Sequence, residues 1–260
     1  ASQSLQVLRT YLNSPVSSLP SAIDSFVRLS YAGGRTEIFR PLYDDGSGGT
    51  PLRNYDINSL YPHVMRENSF PSKFVKWSTR LDLTKEGFHH VFVEVPDTYI
   101  PILWKKVPKF IFPIGRFWGV YSTPELREAI LSGVRILKHR RSAIFGPSEP
   151  LFKNFVTDLY QKRIESDSEV DRTIIKLILN SCYGRFGLNL ERETLELDYG
   201  QPGVVPTFEI KSRHGTHRFV KGSTKLRSFS NPAVASYVTA FARIEKTITT
   251  RRKHSLHRYR

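Results

Sequence analysis

"NYDINSLYPHVM", Asn54–Met65, sets one acid, Asp56, between a run that reads as a strand and a turn that enters a helix. The chain carries 39 Lys and Arg against 24 Asp and Glu, a formal net charge of +15, so an isolated acid at a strand end demands an explanation. The alternation before it predicts an extended segment closing at Asp56 or Ile57, and "SLYPHVMREN" predicts a turn leading into a helix.

The surroundings bound the answer. A chain of 260 residues with 39% apolar side chains can bury a core of its own as one large domain or two small ones. Its basic excess, with a pI near 10.0, points to a polyanionic partner, nucleic acid first, while a merely basic soluble or ribosome-associated protein would show the same balance. One cysteine, Cys182, excludes an internal disulfide framework, and a reducing compartment is expected. No apolar run reaches the roughly 18 residues that span a bilayer, so no membrane partner is expected. The N-terminus has neither a signal-peptide pattern nor an initiating methionine, and the chain is expected to begin inside a longer protein.

Upstream, Pro15 and Pro20 mark a loop, and Gly33 and Gly34 in "FVRLSYAGGRTEIF" predict a tight turn between two strands. "DDGSGGTP", Asp44–Pro51, reads as a flexible hairpin connection. Downstream, "FHHVFVEV" alternates as a strand, and "KFIFPIGRFWGVY" predicts a hairpin closed around Pro113 and Gly115. "TPELREAILSG" predicts a helix capped by Thr123 and ended by Gly133. Two further helices are predicted from about Pro150 to Glu165 and about Glu169 to Phe186, antiparallel across "ESDSE". Residues 188–230 read as loop and weak strand, and "NPAVASYVTAFARIEKTIT" returns to helix.

On the second of that helical pair, Arg172, Lys176, Asn180 and then Tyr183 and Gly184 recur at helical spacing and share one face, while Ile174, Ile175, Ile178 and Leu179 occupy the rest. A cationic stripe with an amide and a phenol suits a phosphorylated, ring-bearing ligand. A solvated face of an ordinary amphipathic helix has the same pattern. His89 and His90 fall on opposite faces of a strand and so are poorly placed to share a metal. Cys182 reads as a small packed residue, and Trp77, Trp104 and Trp118 fit either a subdomain core or base-stacking platforms.

"DINSLYP" and "KLILNSCYG" resemble the A and B motifs of family B DNA polymerases, in the right order, and "YAGG", Tyr31–Gly34, resembles the motif between the exonuclease and polymerase regions of that family. The insert containing "PIGRFWGVYSTPEL" looks most like the protein-primed branch found in phages and in mitochondrial linear plasmids of fungi and plants. The resemblance covers roughly residues 26 to 250. It implies an α+β fold: a palm and fingers fragment with an inserted mixed subdomain, lacking the exonuclease, the C-motif hairpin and the thumb. Residues 1–66 would be the first part of the palm, 67–149 a terminal-protein-type insert, 150–187 the fingers, 188–250 a second insert and return to the palm, and 251–260 an aberrant basic tail.

The resemblance also implies roles. Asp56, with the Ile57 carbonyl, would hold Mg²⁺ in a two-metal phosphoryl transfer from dNTP to primer. Backbone amides of Asn58, Ser59 and Leu60 would face the triphosphate, and Tyr61 would pack on the sugar and exclude a 2′-hydroxyl. Lys176, Arg172 and Arg163 would contact phosphates, and Asn180 and Tyr183 would lie beside the nascent base pair, with closure of the helical pair assembling the site. Tyr31, Gly33, Gly34 and Gly184 would touch DNA. Template-primer, dNTP and a terminal-protein primer are the implied partners, and the linear-plasmid resemblance implies mitochondrial residence.

A second metal-binding acid belongs to a C motif reading roughly Tyr-x-Asp-Thr-Asp, a string these 260 residues lack. A codon choice for His254–Arg260, shifted by one base, reads Ile-Leu-Tyr-Thr-Asp-Thr, so a frameshift is expected to have replaced the C motif with the basic tail. With Asp56 alone, polymerisation is expected to be negligible. A non-catalytic nucleic-acid or nucleotide-binding remnant, and an unrelated basic structural protein, are the alternatives.

Overall fold

The computed structural model describes residues 2–12, 16–35, 57, 59–98, 100–107, 109–188, 191–197, 208–225 and 230–257. Asp56 and Asn58, the strand expected before them, and the 44–51 connection lie outside these residues. Helices α1 (Ser2–Arg9) and α2 (Ser21–Arg28) open the chain, and α3 (Leu60–Glu67) begins within the "DINSLYP" stretch, after its turn, as expected. Strands β1 (Phe74–Ser78), β2 (Gly87–Val95), β3 (Lys105–Val107), β4 (Lys109–Ile111) and β5 (Gly115–Ser122) lead to α4 (Thr123–Leu131) and β6 (Arg135–Phe145). The pair α5 (Lys153–Glu165) and α6 (Glu169–Phe186) comes next. Strands β7 (Glu191–Leu197), β8 (Phe208–Ser212) and β9 (Gly215–Lys225) precede the long α7 (Pro232–His257). The mixture of helices and sheets is the expected α+β class, and no helix among the described residues is long and apolar enough to cross a membrane.

Three sequence expectations are corrected. The run before Gly33 is helix, not strand, because Ile23, Phe26 and Val27 recur at helical spacing and all are buried. Strand β4 pairs with β3 rather than with β5, whose partner is β2, so the hairpin closes before Pro113 instead of around it. The cap of α4 is Ser122, whose backbone N–H and hydroxyl both donate to Glu125 Oε2, at 3.4 and 2.9 Å. Thr123 instead donates to the carbonyls of Lys85 and Gly87. Residues 188–230, read as loop and weak strand, do hold strands, and those described form a three-stranded sheet ordered β7-β9-β8.

Strands β1-β6-β2-β5 form an antiparallel sheet whose two faces enter two cores. On one face Phe88, Ala143 and Phe145 join Val27, Met65, Phe152, Phe155, Phe186 and Tyr237, drawn from the surrounding helices. On the other, Val91, Val93 and Tyr121 pack with Leu103, Trp104 and Leu126 beneath α4. Strands approach so closely at Gly87 that a Cβ there would lie 2.4 Å from the Ala143 carbonyl oxygen, which requires glycine. His89 belongs to the second face: its ring is buried between Ser142 Oγ (2.7 Å) and Thr123 Oγ1 (2.9 Å), and burial drives its pKa down to about 3. His90 points the other way, in keeping with strand alternation.

Candidate functional site

Helix α3 begins from Ser59 at φ 52°, ψ 42°, the one non-glycine residue of positive φ among those described. This left-handed conformation is unfavourable for a residue with a Cβ, and backbone strain of this kind gathers at functional sites. It delivers Leu60 and Tyr61 onto the first core, both half-buried. The Tyr61 ring stacks on Tyr183 of α6, with centroids 4.4 Å apart and planes 16° from parallel. Gly34 comes so near that a Cβ there would lie 2.9 Å from the Tyr61 hydroxyl oxygen. The ring of Tyr31 lies against Gly187, where a Cβ would sit 2.5 Å from its Cζ and Oη. The "YAGG" segment, the turn into α3 and the C-terminal half of α6 therefore converge through three tyrosines and two glycines.

Burial raises the Tyr31 and Tyr183 phenols above their usual pKa, and the neighbouring Tyr61 phenol adds to the effect in both. Both remain neutral near pH 7, so neither repels an anion. Arg172, Lys176, Asn180 and Gly184 are exposed on α6, and a Cβ at Gly184 would meet open space. At 1.5 Å per residue, Lys176 stands about 10 Å and Arg172 about 16 Å from Tyr183 along the helix. Arg172 Nε donates to the Ser166 carbonyl at 2.8 Å, and Arg163 is half-buried near the end of α5. The cations thus line up with Tyr183 along one face but do not touch the tyrosine cluster. Ile57 is half-buried beside the turn. Cys182 is buried, and burial pushes its thiol up to about 12, which suits packing and not nucleophilic chemistry. Among the described residues no group of three or more His, Cys, Asp or Glu could hold a metal.

Other residues build the site unannounced by any motif. Arg243 of α7 is buried, and its Nη1 donates to the carbonyls of Ala32 (2.7 Å) and Gly33 (2.9 Å) while Nη2 pairs with Glu125 at 2.6 Å. Lys246 Nζ donates to the Arg35 carbonyl at 2.8 Å, and Ser236 Oγ to the Ser30 carbonyl at 3.0 Å. The segment around Tyr31–Arg35 is therefore clamped through its backbone by one helix. Arg28 fastens the end of α6, donating to the carbonyls of Gly187 (3.0 Å) and Leu188 (2.7 Å). The available sequence signal is a lone arginine closing the apolar run "ASYVTAFAR", Ala235–Arg243.

The family of DNA polymerase type B, organellar and viral, matches residues 1–215. A probable DNA polymerase of Podospora anserina is 31% identical over 178 residues, 66% of this chain and 14% of the relative. A probable DNA polymerase of Neurospora intermedia is 30% identical over 214 residues, 75% of this chain and 21% of the relative. The chain thus spans no more than about a fifth of the length of these two relatives. Among solved structures, phi29 DNA polymerase complexed with single-stranded DNA superposes with a TM-score of 0.70 at 19% identity, covering 98% of this chain and 45% of that one, which speaks for the fold alone. With a family match across residues 1–215 and fungal relatives at 30% identity or more, the chain belongs to the type B DNA polymerases of organelles and viruses.

Proposed function

We propose that the Tyr61–Tyr183 pair and the exposed face of α6 receive an incoming deoxynucleoside triphosphate in a DNA-directed DNA polymerase of the protein-primed type. The observation that carries this reading is the ring stacking of Tyr61 on Tyr183 at 4.4 Å, which joins the two stretches that resemble the A and B motifs. In this reading Lys176, Arg172 and Arg163 neutralise the phosphates, with the planar arginines suited to paired phosphate oxygens. Backbone amides of Asn58, Ser59 and Leu60 complete the anion site. Asn180 and Tyr183 flank the base, and Tyr61 meets the sugar edge where a 2′-hydroxyl would clash. Tyr31, Gly33, Gly34 and Gly184 border the template, and the clamp from Arg243 and Lys246 holds that border rigid.

Asp56 and the Ile57 carbonyl offer the hard oxygen donors that suit Mg²⁺. When bound, the ion activates the attacking oxygen and neutralises charge on the phosphates. Residues 1–66, 150–187 and 188–250 serve as palm, fingers and returning palm in this scheme, and 67–149 and part of 188–250 as inserts. A DNA template-primer and a terminal-protein primer are the macromolecular partners, and the organellar and viral description of the family supports mitochondrial residence. Because these 260 residues hold no Tyr-x-Asp-Thr-Asp string, they are expected to bind nucleotide yet extend a primer negligibly by themselves.

Calorimetric titration of the 260-residue chain with a dNTP and Mg²⁺ tests the reading. Lys176→Ala and Arg172→Ala should each weaken binding about tenfold, the scale of a lost charge-assisted contact. Equal affinity in both variants would leave only a generic basic surface. Metal-dependent extension of a primed template by the same chain would refute the expectation of negligible synthesis.

A further inference from the structure

In the four-stranded sheet, residues directly paired across strands share a face. The row Ala143–Phe88–Ser122 begins this face, with Ala143 and Phe88 in the first core. Three further rows continue that face toward solvent: Arg141–His90–Val120, then Lys138–Phe92–Trp118, then Arg135–Glu94–Arg116. The opposite face of the same strands is sealed beneath α4. Trp118 keeps 40% of its surface exposed, and Arg116, Arg135, Lys138 and Arg141 are exposed around it. Its ring meets His90 at 5.0 Å and Phe92 at 5.3 Å. At the neighbouring edge Trp77, 39% exposed, lies under the Arg141 guanidinium at 4.8 Å.

Core packing accounts for Phe88 but not for an indole left open on a sheet face. Charge narrows the choice of partner. These rows hold four cations and one carboxylate, and Glu94 is already committed to Arg116 at 2.7 Å and to Arg135. Burial, with Arg140 and Arg141 next, holds the His90 pKa below its usual value, as expected where positive charge is already crowded. Two strand spacings across and three rows along give a platform about 10 Å by 14 Å, room for two or three bases. The exposed rings can stack only on unpaired bases, since a duplex would meet the cations alone.

We infer that this half-face is a stacking platform for single-stranded nucleic acid, with Trp118, Phe92 and His90 taking bases and Arg141, Lys138 and Arg116 taking phosphates. It shares no residue with the Tyr61–Tyr183 site. It would give the polymerase a hold on an unpaired strand beside the core.

Fluorescence anisotropy of the 260-residue chain with a labelled oligo-dT and with a duplex of equal length tests this. Trp118→Ala should weaken single-strand binding about tenfold, the loss expected for one stacked base. Duplex affinity should hardly change, and Trp118→Phe, which keeps a ring, should restore most of the single-strand affinity. Arg141→Ala should lower the salt slope for the single strand by about 0.7. Unchanged single-strand affinity in Trp118→Ala would overturn the platform and leave the face to a protein partner. Equal losses for single strand and duplex would overturn it in favour of an unspecific basic patch. Titration of the same Trp118→Ala chain with dNTP reports separately on the nucleotide site.

Discussion

The two ends of α6 stand in different company. Its C-terminal half buries Leu179, Cys182 and Phe186 and stacks Tyr183 on Tyr61, and just past its end Gly187 lies against Tyr31 and the carbonyls of Gly187 and Leu188 are held by Arg28. Its N-terminal half leaves Val170, Ile174 and Leu177 exposed at 66%, 48% and 63%, with Arg172 and Lys176 exposed nearby. One helix is thus an anchor at one end and an outrigger at the other. Local stability follows burial and contacts, so the outer turns are expected to open more readily than the inner ones. The cations proposed to meet phosphate stand on the exposed end, open to a ligand.

The largest way to break this division is Arg243→Met. It leaves Glu125 as an uncompensated buried charge and frees the carbonyls of Ala32 and Gly33, so urea unfolding should report a loss of about 3–5 kcal/mol. Gly187→Ala attacks the anchor directly. The added Cβ would strike the Tyr31 ring, and a destabilisation of about 1–3 kcal/mol is expected in the same measurement. A double-mutant cycle on Tyr61→Ala and Tyr183→Ala should return a coupling of about 0.5–1.5 kcal/mol, while Tyr61→Ala paired with Lys176→Ala should return close to none. At the outrigger, Leu177→Ala should change stability by no more than about 0.5 kcal/mol.

Alkali sharpens the contrast. Tyr31 and Tyr183 have folded-state pKa values raised above 10.0, chiefly by burial. The folded chain therefore retains protons that the unfolded chain releases above that pH, so their contribution is complete below about pH 10 and is lost as pH rises further. Stability measured above pH 10 should fall less steeply in Tyr183→Phe than in the unaltered chain.

Much of this was legible in the sequence wherever one face of an element is buried. Helix α6 matches its apolar period from Glu169 to Phe186, and β2 its alternation. The strand-forming residues of "FVRLSY" masked the helical spacing that begins at Ile23, outside the run that reads as strand. The sheet of β7, β8 and β9 left no alternation to read, because the described side chains from Glu209 to Arg218 are all exposed, and pairs such as Arg218–Glu209 face solvent. Resemblance to the family motifs singled out Tyr61, Tyr183 and Gly34, and the structure adds that Tyr61 lies against each of the other two. Arg243 was not legible: its partners lie far away in sequence, and only the packing of α7 reveals what its guanidinium grips.

In the proposed site the Tyr61 ring, braced by Tyr183, borders the sugar of a bound nucleotide. The most direct measurement compares the affinity of the 260-residue chain for dATP and for ATP, in the unaltered protein and in Tyr61→Ala. A preference for dATP that disappears in Tyr61→Ala is the result predicted. Equal affinity for the two nucleotides in the unaltered chain, or a preference that survives the loss of the ring, would contradict it.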